Sequence, residues 1–279
     1  MIKDSQTNFV YLSDKLAGTY PNFARELISL FKIHEIDFGF LPNTKDTWAV
    51  DFMPIQVSLQ KFVRFTYKPD YLVSTKKWSK TISNVDEICE NIGIKTIKSD
   101  IILDGGNISK WDDKVLMTNK VFIENSNIPE LELIERFKDL LEIDEIFFVP
   151  VEKGDWLGHV DGMARFVNQS TVLINDTRRE KIEDYIDFLM ALRNAGLNWI
   201  EFPFNIYENE SVDDAAGLYL NYLELEKLVV LPVFDFDSDD LAIEAANKIF
   251  KGRKIITIKS NEPAKDTGII NCLTWNIRK

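Results

Sequence analysis

Pro21-Asn22-Phe23-Ala24-Arg25-Glu26-Leu27-Ile28-Ser29-Leu30-Phe31-Lys32-Ile33-His34-Glu35-Ile36-Asp37-Phe38-Gly39-Phe40-Leu41-Pro42 is the stretch from which the fold is read. Phe23, Leu27, Leu30 and Phe31 recur at helical spacing behind a Pro-Asn start, which predicts an amphipathic helix over 22–33. Residues 36–41 then alternate and stop at Pro42, which predicts a strand. The same events recur four times. Predicted helices over 85–92, 130–141, 180–195 and 239–250 lead to predicted strands over 94–97, 146–149, 199–202 and 255–258. Gly196 and Gly252 stop the last two helices.

The strand ends at 42, 99, 150, 203 and 260 are separated by 57, 51, 53 and 57 residues. Further strand-like runs lie between the helices, over 55–59, 62–67, 107–111, 115–118 and 171–174. A fixed period of this size marks a repeat architecture. Each unit reads as strand-strand-helix-strand, so five units are expected to close into an α/β ring with the helices outside and a central site. No linker or low-complexity segment interrupts the pattern, and one domain over 1–279 is expected.

Each repeat is followed by a stretch of reactive side chains. The first is Trp48-Ala49-Val50-Asp51-Phe52-Met53-Pro54, and the second is Leu103-Asp104-Gly105-Gly106-Asn107. The third is Trp156-Leu157-Gly158-His159-Val160-Asp161-Gly162, continuing to Ala164-Arg165-Phe166. The fourth runs Asp213-Asp214-Ala215-Ala216-Gly217-Leu218-Tyr219-Leu220-Asn221-Tyr222, and the fifth Thr267-Gly268-Ile269-Ile270-Asn271-Cys272-Leu273-Thr274. In an extended backbone His159 and Asp161 would project from one face. Equivalent positions of a ring converge, which gathers Asp51, Asp104, His159, Asp161 and Cys272 around one cavity. Singly, each has an ordinary reading. Asp51 and Asp104 could cap turns, His159 could sit in a surface turn, and Cys272 could be core in a strand-like run. Cys89 shares a helical face with Val85, Ile88 and Ile92 and reads as core, and His34 reads as a contact at a helix end.

Composition narrows the chemistry. The chain has 279 residues, 45% of them hydrophobic, with nineteen Phe, eight Tyr and six Trp, which argues for a globular protein. No apolar h-region opens the sequence and no apolar run is long enough for a bilayer span, so neither export nor a membrane partner is expected. Two cysteines cannot form a disulfide framework, and a reducing cytoplasm fits them. Thirty-three basic against 45 acidic residues give a net charge of −12, which disfavours nucleic acid and suits a small cationic substrate. A zinc site from His159, Asp161 and Cys272 has no CxxC or HxxxH spacing behind it, and no metal is expected. A Cys with a His and no metal reads as a nucleophile with its acid–base partner. Carboxylates facing that nucleophile suit a planar guanidinium, which they can grip through charge-assisted hydrogen bonds.

These stretches resemble the agmatine deiminase and bacterial peptidylarginine deiminase family of the guanidine-modifying pentein superfamily. The resemblance rests on Trp48-x-x-Asp51-x-x-Pro54, Asp104-Gly105-Gly106-Asn107, Gly158-His159-Val160-Asp161-Gly162 with Ala164-Arg165-Phe166, and Asn271-Cys272-Leu273-Thr274, in family order. It implies a five-bladed pseudo-symmetric α/β propeller and a hydrolase that converts a guanidine to a ureido product. It also implies roles. Cys272 would attack the guanidinium carbon, and His159 would protonate the leaving amine and then activate water. Asp51 and Asp161 would hold the guanidinium nitrogens, and Asp104 would orient His159. Trp48, Arg165 and Asn271 complete the candidate substrate-binding set. No cofactor is implied, and a homo-oligomer is an open option. Val50 departs from the family's usual Arg, only Gly268 leads into the nucleophile, and the chain is shorter than typical agmatine deiminases, which predicts trimmed substrate loops. An amidinotransferase on the same fold, and an idle pentein that only binds a partner, are the alternatives.

Overall fold

The computed structural model describes residues 1–176, 182–206 and 214–279, the side chains of 182–184 excepted. Along the chain, β1 (Phe9–Ser13), α1 (Pro21–Ile33) and β2 (Asp37–Leu41) come first. They are followed by β3 (Ile55–Gln56), β4 (Phe62–Thr66), α2 (Val85–Asn91) and β5 (Thr96–Ile102). The third set is β6 (Ser109–Trp111), β7 (Lys114–Thr118), α3 (Glu130–Leu141) and β8 (Glu145–Val149). The fourth is β9 (Ala164–Asn168), β10 (Thr171–Asn175), α4 (Ile182–Asn194) and β11 (Asn198–Phe202). The last is β12 (Leu223–Glu224), β13 (Leu228–Val233), α5 (Ser238–Ile249), β14 (Lys254–Lys259) and β15 (Thr274–Ile277).

Among the described residues these strands form five three-stranded sheets, ordered β15-β1-β2, β3-β4-β5, β6-β7-β8, β11-β10-β9 and β12-β13-β14. In four of them the central strand has an antiparallel partner on one side and, on the other, a parallel partner reached across the helix. Parallel pairing needs a crossover, which is why a helix lies between those two strands in sequence. In the first sheet the antiparallel partner comes from the far end of the chain, with Phe9 opposite Ile277 and Leu12 opposite Thr274.

The chain divides into two compact units, one of residues 1–3 and 51–201, the other of residues 4–50 and 202–279. In the first, Leu133, Phe137 and Leu141 lie four apart on one face of α3 and bury fully against Val115 and Met117 of β7 and Val63 and Phe65 of β4. Each such side chain contributes roughly 1.5–3 kcal/mol by leaving water. A second core in that unit joins Phe188 and Leu192 of α4 to Val172 and Ile174 of β10. In the other unit α1 buries Phe23, Ala24, Leu27 and Phe31, and Val229, Val230 and Leu231 of β13 are wholly inaccessible. No helix among the described residues is long and apolar enough to cross a membrane.

All five predicted helices, and the strand expected after each, are present. The start of the helix expected at 180 lies outside the described residues. Gly196 and Gly252 follow their helices in the left-handed region, at φ 69° and 85°. Five differences stand out. β5 runs on to Ile102, past the expected end at 99. The run over 55–59 is only the two-residue β3. β1 and β13 were not foreseen, because fully buried central strands show apolar runs without alternation. His159 to Asp161 is not one extended run, since Val160–Gly162 is a 3-10 turn. Cys272 lies in the helical turn Ile270–Leu273, not in a strand.

Candidate active site

Among the described residues, the stretch from the strand after each helix to the next repeat's first strand is largely irregular, and the candidate residues stand there. Asp51 lies between β2 and β3 in the helical turn Ala49–Phe52, and Asp104 lies between β5 and β6. His159 and Asp161 lie between β8 and β9, and Cys272 lies between β14 and β15. Two repeats use one local device. Asp104 (φ −89°, ψ 137°) and His159 (φ −90°, ψ 129°) are each the extended residue heading a 3-10 turn, Gly105–Asn107 and Val160–Gly162. Neither side chain caps its own turn. Thr118 ties the two turns together. Its N–H donates to Asn107 Oδ1 at 2.8 Å and its hydroxyl donates to the Gly158 carbonyl at 2.7 Å.

The first unit thereby collects Asp51, Asp104, His159 and Asp161, none more than 7% exposed. His159 Nε2 lies 3.1 Å from Asp104 Oδ2, a hydrogen bond, and Nδ1 lies 3.7 Å from Asp51 Oδ1, a charge contact. Gly106 N–H donates to Asp51 Oδ1 at 3.1 Å. A Cβ on Gly106 would stand 2.6 Å from His159 Nδ1 and 2.7 Å from Asp51 Oδ1. The glycine is therefore required by close approach, and the carboxylates serve the histidine instead of capping turns.

Burial pushes the Asp51 carboxyl up to about 8, with Asp104 and Asp161 adding to the push while His159 and the Gly106 N–H oppose it. Burial alone would lower the His159 imidazole. The Asp51 charge, the hydrogen bond to Asp104 and the charges of Asp104 and Asp161 outweigh it and raise His159 to about 10. Both groups are thereby pushed toward their protonated forms.

Two residues that the sequence reading passed over complete this cluster. Tyr71 donates its hydroxyl to Asp104 Oδ2 at 2.9 Å, the oxygen that also faces His159. Burial raises the phenol well above its ordinary value, so it stays a donor. Lys120 is only 6% exposed. It donates to the Leu157 carbonyl at 2.7 Å and the Trp156 carbonyl at 3.3 Å, pairs with Asp70 at 3.0 Å and lies over the Tyr71 ring at 4.8 Å. Gly158, at φ 67°, packs on the same side chain, where a Cβ would come 2.7 Å from Lys120 Cδ. Lys120 thus fixes both the loop that delivers His159 and the tyrosine that shares Asp104. No spacing pattern marks either residue, because each meets its partners more than thirty positions away. Arg165 is also in this unit, buried in β9 opposite Leu173.

The second unit holds Cys272, Asn271 and Trp48. Cys272 is 8% exposed. Asn221 Nδ2 donates to Cys272 Sγ at 3.2 Å, and Asn221 Oδ1 accepts from the N–H groups of Asn271 at 3.0 Å and Cys272 at 3.4 Å. Asn221 belongs to the fourth reactive stretch, at the place Cys272 holds in the fifth, and that correspondence was its one sequence signal. Asp213, in the same stretch, lies outside the described residues. The stretch is pinned where Asn205 N–H donates to the Gly217 carbonyl at 3.1 Å. The indole of Trp48 lies against Gly268, where a Cβ would meet its ring at 2.2 Å, and 6.2 Å from the Tyr20 ring. Cys89 is buried on α2, and burial pushes its thiol up to about 12. His34 stands at the end of α1 with Nδ1 3.2 Å from Lys254 Nζ. No group of three or more His, Cys, Asp or Glu among the described residues is arranged to hold a metal ion.

Known proteins set this geometry in a family. A relative from Mycoplasma mycoides subsp. mycoides, provisionally named an agmatine deiminase, is 24% identical over 229 residues. The match takes in 71% of this chain and 63% of that protein's length, less than two thirds. The solved structure of C. jejuni agmatine deiminase superposes with a TM-score of 0.77 at 19% identity, over 100% of this chain and 95% of that one. DDAH from Pseudomonas aeruginosa gives a TM-score of 0.60 at 12% identity, over 98% of this chain and 100% of that one. These likenesses establish the fold class, the five-bladed pseudo-symmetric α/β propeller of the penteins. The family described as Porphyromonas-type peptidyl-arginine deiminase matches residues 5–277, nearly the whole sequence. The chain belongs to the Porphyromonas-type peptidyl-arginine deiminase family.

Proposed function

We propose that this chain is a hydrolase acting on a C–N bond of a linear amidine, a deiminase that turns a guanidine into a ureido product and ammonia. One observation carries the reading: three buried carboxylates, Asp51, Asp104 and Asp161, share a single histidine. The carboxylates stand close together, and burial with the charges of Asp104 and Asp161 pushes Asp51 toward its protonated form. Asp104 Oδ1 is buried without a hydrogen-bond partner. A planar cation rich in N–H donors would answer both needs, supplying charge to Asp51 and Asp161 and a donor to Asp104 Oδ1.

In this reading the Cys272 thiolate attacks the guanidinium carbon and forms a tetrahedral adduct. His159, an imidazolium, gives its proton to the departing nitrogen, which leaves as ammonia, and a thiouronium remains on sulfur. The neutral imidazole then takes a proton from water as its oxygen adds to the same carbon. The C–S bond breaks, its electron pair returns to sulfur, the hydroxyl of the adduct gives its proton to solvent as the C=O forms, and the ureido product is released. The agmatine deiminases among the chain's relatives support agmatine as the leading substrate, and the family's description keeps peptidyl arginine beside free arginine as the other candidates. We place the activity in the cytoplasm. The test is a panel of agmatine, arginine and an arginyl peptide assayed for ammonia and ureido product with no added amine. Release from at least one guanidine, abolished in Cys272→Ala, is expected. Turnover only with an acceptor amine would make the chain an amidinotransferase, and silence from the folded protein on every guanidine would sink the enzymatic reading.

A further inference from the structure

We infer that Asn221 stabilises the Cys272 thiolate and aims it, acting as the amide partner of the nucleophile. The inference rests on the reading of Cys272 as nucleophile, and three contacts carry it. Asn221 Oδ1 faces two backbone N–H groups, those of Asn271 and Cys272, at 3.0 and 3.4 Å. Backbone N–H groups only donate, so the oxygen of the amide must lie on that side. The amide nitrogen then necessarily faces Cys272 Sγ, at 3.2 Å.

A neutral thiol is a weak acceptor, whereas a thiolate is a strong one. A fixed N–H donor at the sulfur therefore favours the ionised form. The same side chain holds the helical turn that presents the sulfur, because its oxygen takes the N–H of Cys272 itself. The asparagine backbone adds a further tie, its carbonyl accepting from Asn271 N–H at 3.2 Å. Asn221 is 2% exposed, so no water competes for its amide at the surface. The segment Leu218-Tyr219-Leu220-Asn221-Tyr222 and the turn Ile270–Leu273 carry only Tyr219 and Tyr222 as other titratable side chains. The Tyr219 hydroxyl is engaged by Asp239 and Ser238, at 2.7 Å each. Asn221 thus brings a neutral amide donor to the sulfur.

The experiment is the pH dependence of Cys272 alkylation by iodoacetamide, in a Cys89→Ala background so that one thiol is read. It needs no turnover, which keeps its outcome separate from that of the deiminase assay. In the otherwise unaltered protein the alkylation midpoint is expected below the ordinary cysteine value of about 8.5. Asn221→Asp keeps the oxygen that holds the turn but replaces the donor with a negative charge. It is expected to slow alkylation at neutral pH about tenfold or more while leaving the rate at high pH, where every thiol is ionised, nearly unchanged. Asn221→Ser removes the amide without adding charge and reads the same quantity should the aspartate variant lose its fold. A wild-type midpoint at or above the ordinary value overturns the inference. So does an alkylation profile in either folded variant that superimposes on wild type, even with activity lost, since Asn221 would then only brace the turn. Ordinary turnover by Cys272→Ser would remove the nucleophile reading and leave the alkylation result to stand alone.

Discussion

Around His159 the protein buries charge, and around Cys272 it buries a thiol beside a neutral amide. The first cluster sets three carboxylates against one imidazole, and both Asp51 and His159 are driven to hold protons they would lose in water. In the second, the neutral side chain of Asn221 donates to the sulfur and accepts from two N–H groups of the turn that carries it. A buried charge acts over several ångströms and weakens gradually, whereas a hydrogen bond acts only within its narrow geometry. The His159 cluster should therefore respond to changes of charge and pH, and the Cys272 cluster to changes of shape and donor pattern.

The strongest way to break that contrast is to delete each centre. Cys272→Ala and His159→Ala are both expected to lower kcat by about a thousandfold or more. Their stabilities should part. Cys272→Ala removes a small buried side chain and should melt near wild type. His159→Ala takes the imidazolium from among three buried carboxylates and should melt clearly lower at neutral pH than in mild acid. Equal melting losses in calorimetry would erase the distinction between the clusters.

Next in size is Asp51→Asn, expected to lose about a hundredfold or more in kcat/KM on guanidines because an amide keeps the shape and drops the charge. It also tests the charge reading through stability. Both raised groups bind a proton more tightly folded than unfolded. Their contribution is therefore full below the unfolded values, about 4 for Asp51 and about 6.5 for His159, and is lost as pH rises through about 8 and about 10. The melting temperature should fall as pH rises across that window. In Asp51→Asn the lower part of the fall should vanish, and an unchanged curve would show that Asp51 is ionised throughout.

Asp104→Asn should act more gently, with about tenfold loss of kcat and a displaced pH profile. Removing that charge makes the imidazolium easier to deprotonate, so activity that needs the imidazolium should fail at lower pH on the alkaline side. A superimposable profile would mean that the 3.1 Å contact does not tune His159. Lys120→Met should sharpen the comparison further. It keeps the stem beneath Gly158 but releases the carbonyls of Trp156 and Leu157, and a several-fold drop in kcat with little change in KM is expected. The smallest effect should be that of Cys89→Ala, a loss of about 1 kcal/mol in stability by denaturant titration with unaltered turnover.

How far the sequence could be read follows the range of the interactions. The helix–strand unit was visible because Phe23, Leu27, Leu30 and Phe31 repeat within a single helix, a relation confined to a few residues. The strands β1 and β13 were not, since a run buried on both sides has no alternation to betray it. The family motifs marked Asp51, Asp104, His159, Asp161 and Cys272, because reactive residue types at corresponding places of a repeat can be compared without knowing the fold. Asn221 stood in such a place but lacked a reactive type. Tyr71 and Lys120 stood in none.

By itself, then, the sequence determined the repeat, its period, the fold class and the stretches where chemistry is possible, all of which depend on neighbours close along the chain or on matching places in successive repeats. Only the tertiary structure decided that Tyr71 shares Asp104 with His159 across 33 residues, that Lys120 holds the His159 loop across 37, and that Asn221 faces the sulfur across 51. It alone also decided the direction in which the protonation of the cluster is pushed. A carboxyl keeps its proton at neutral pH only when water is excluded and other charges stand beside it, and both conditions exist only once distant segments have packed together.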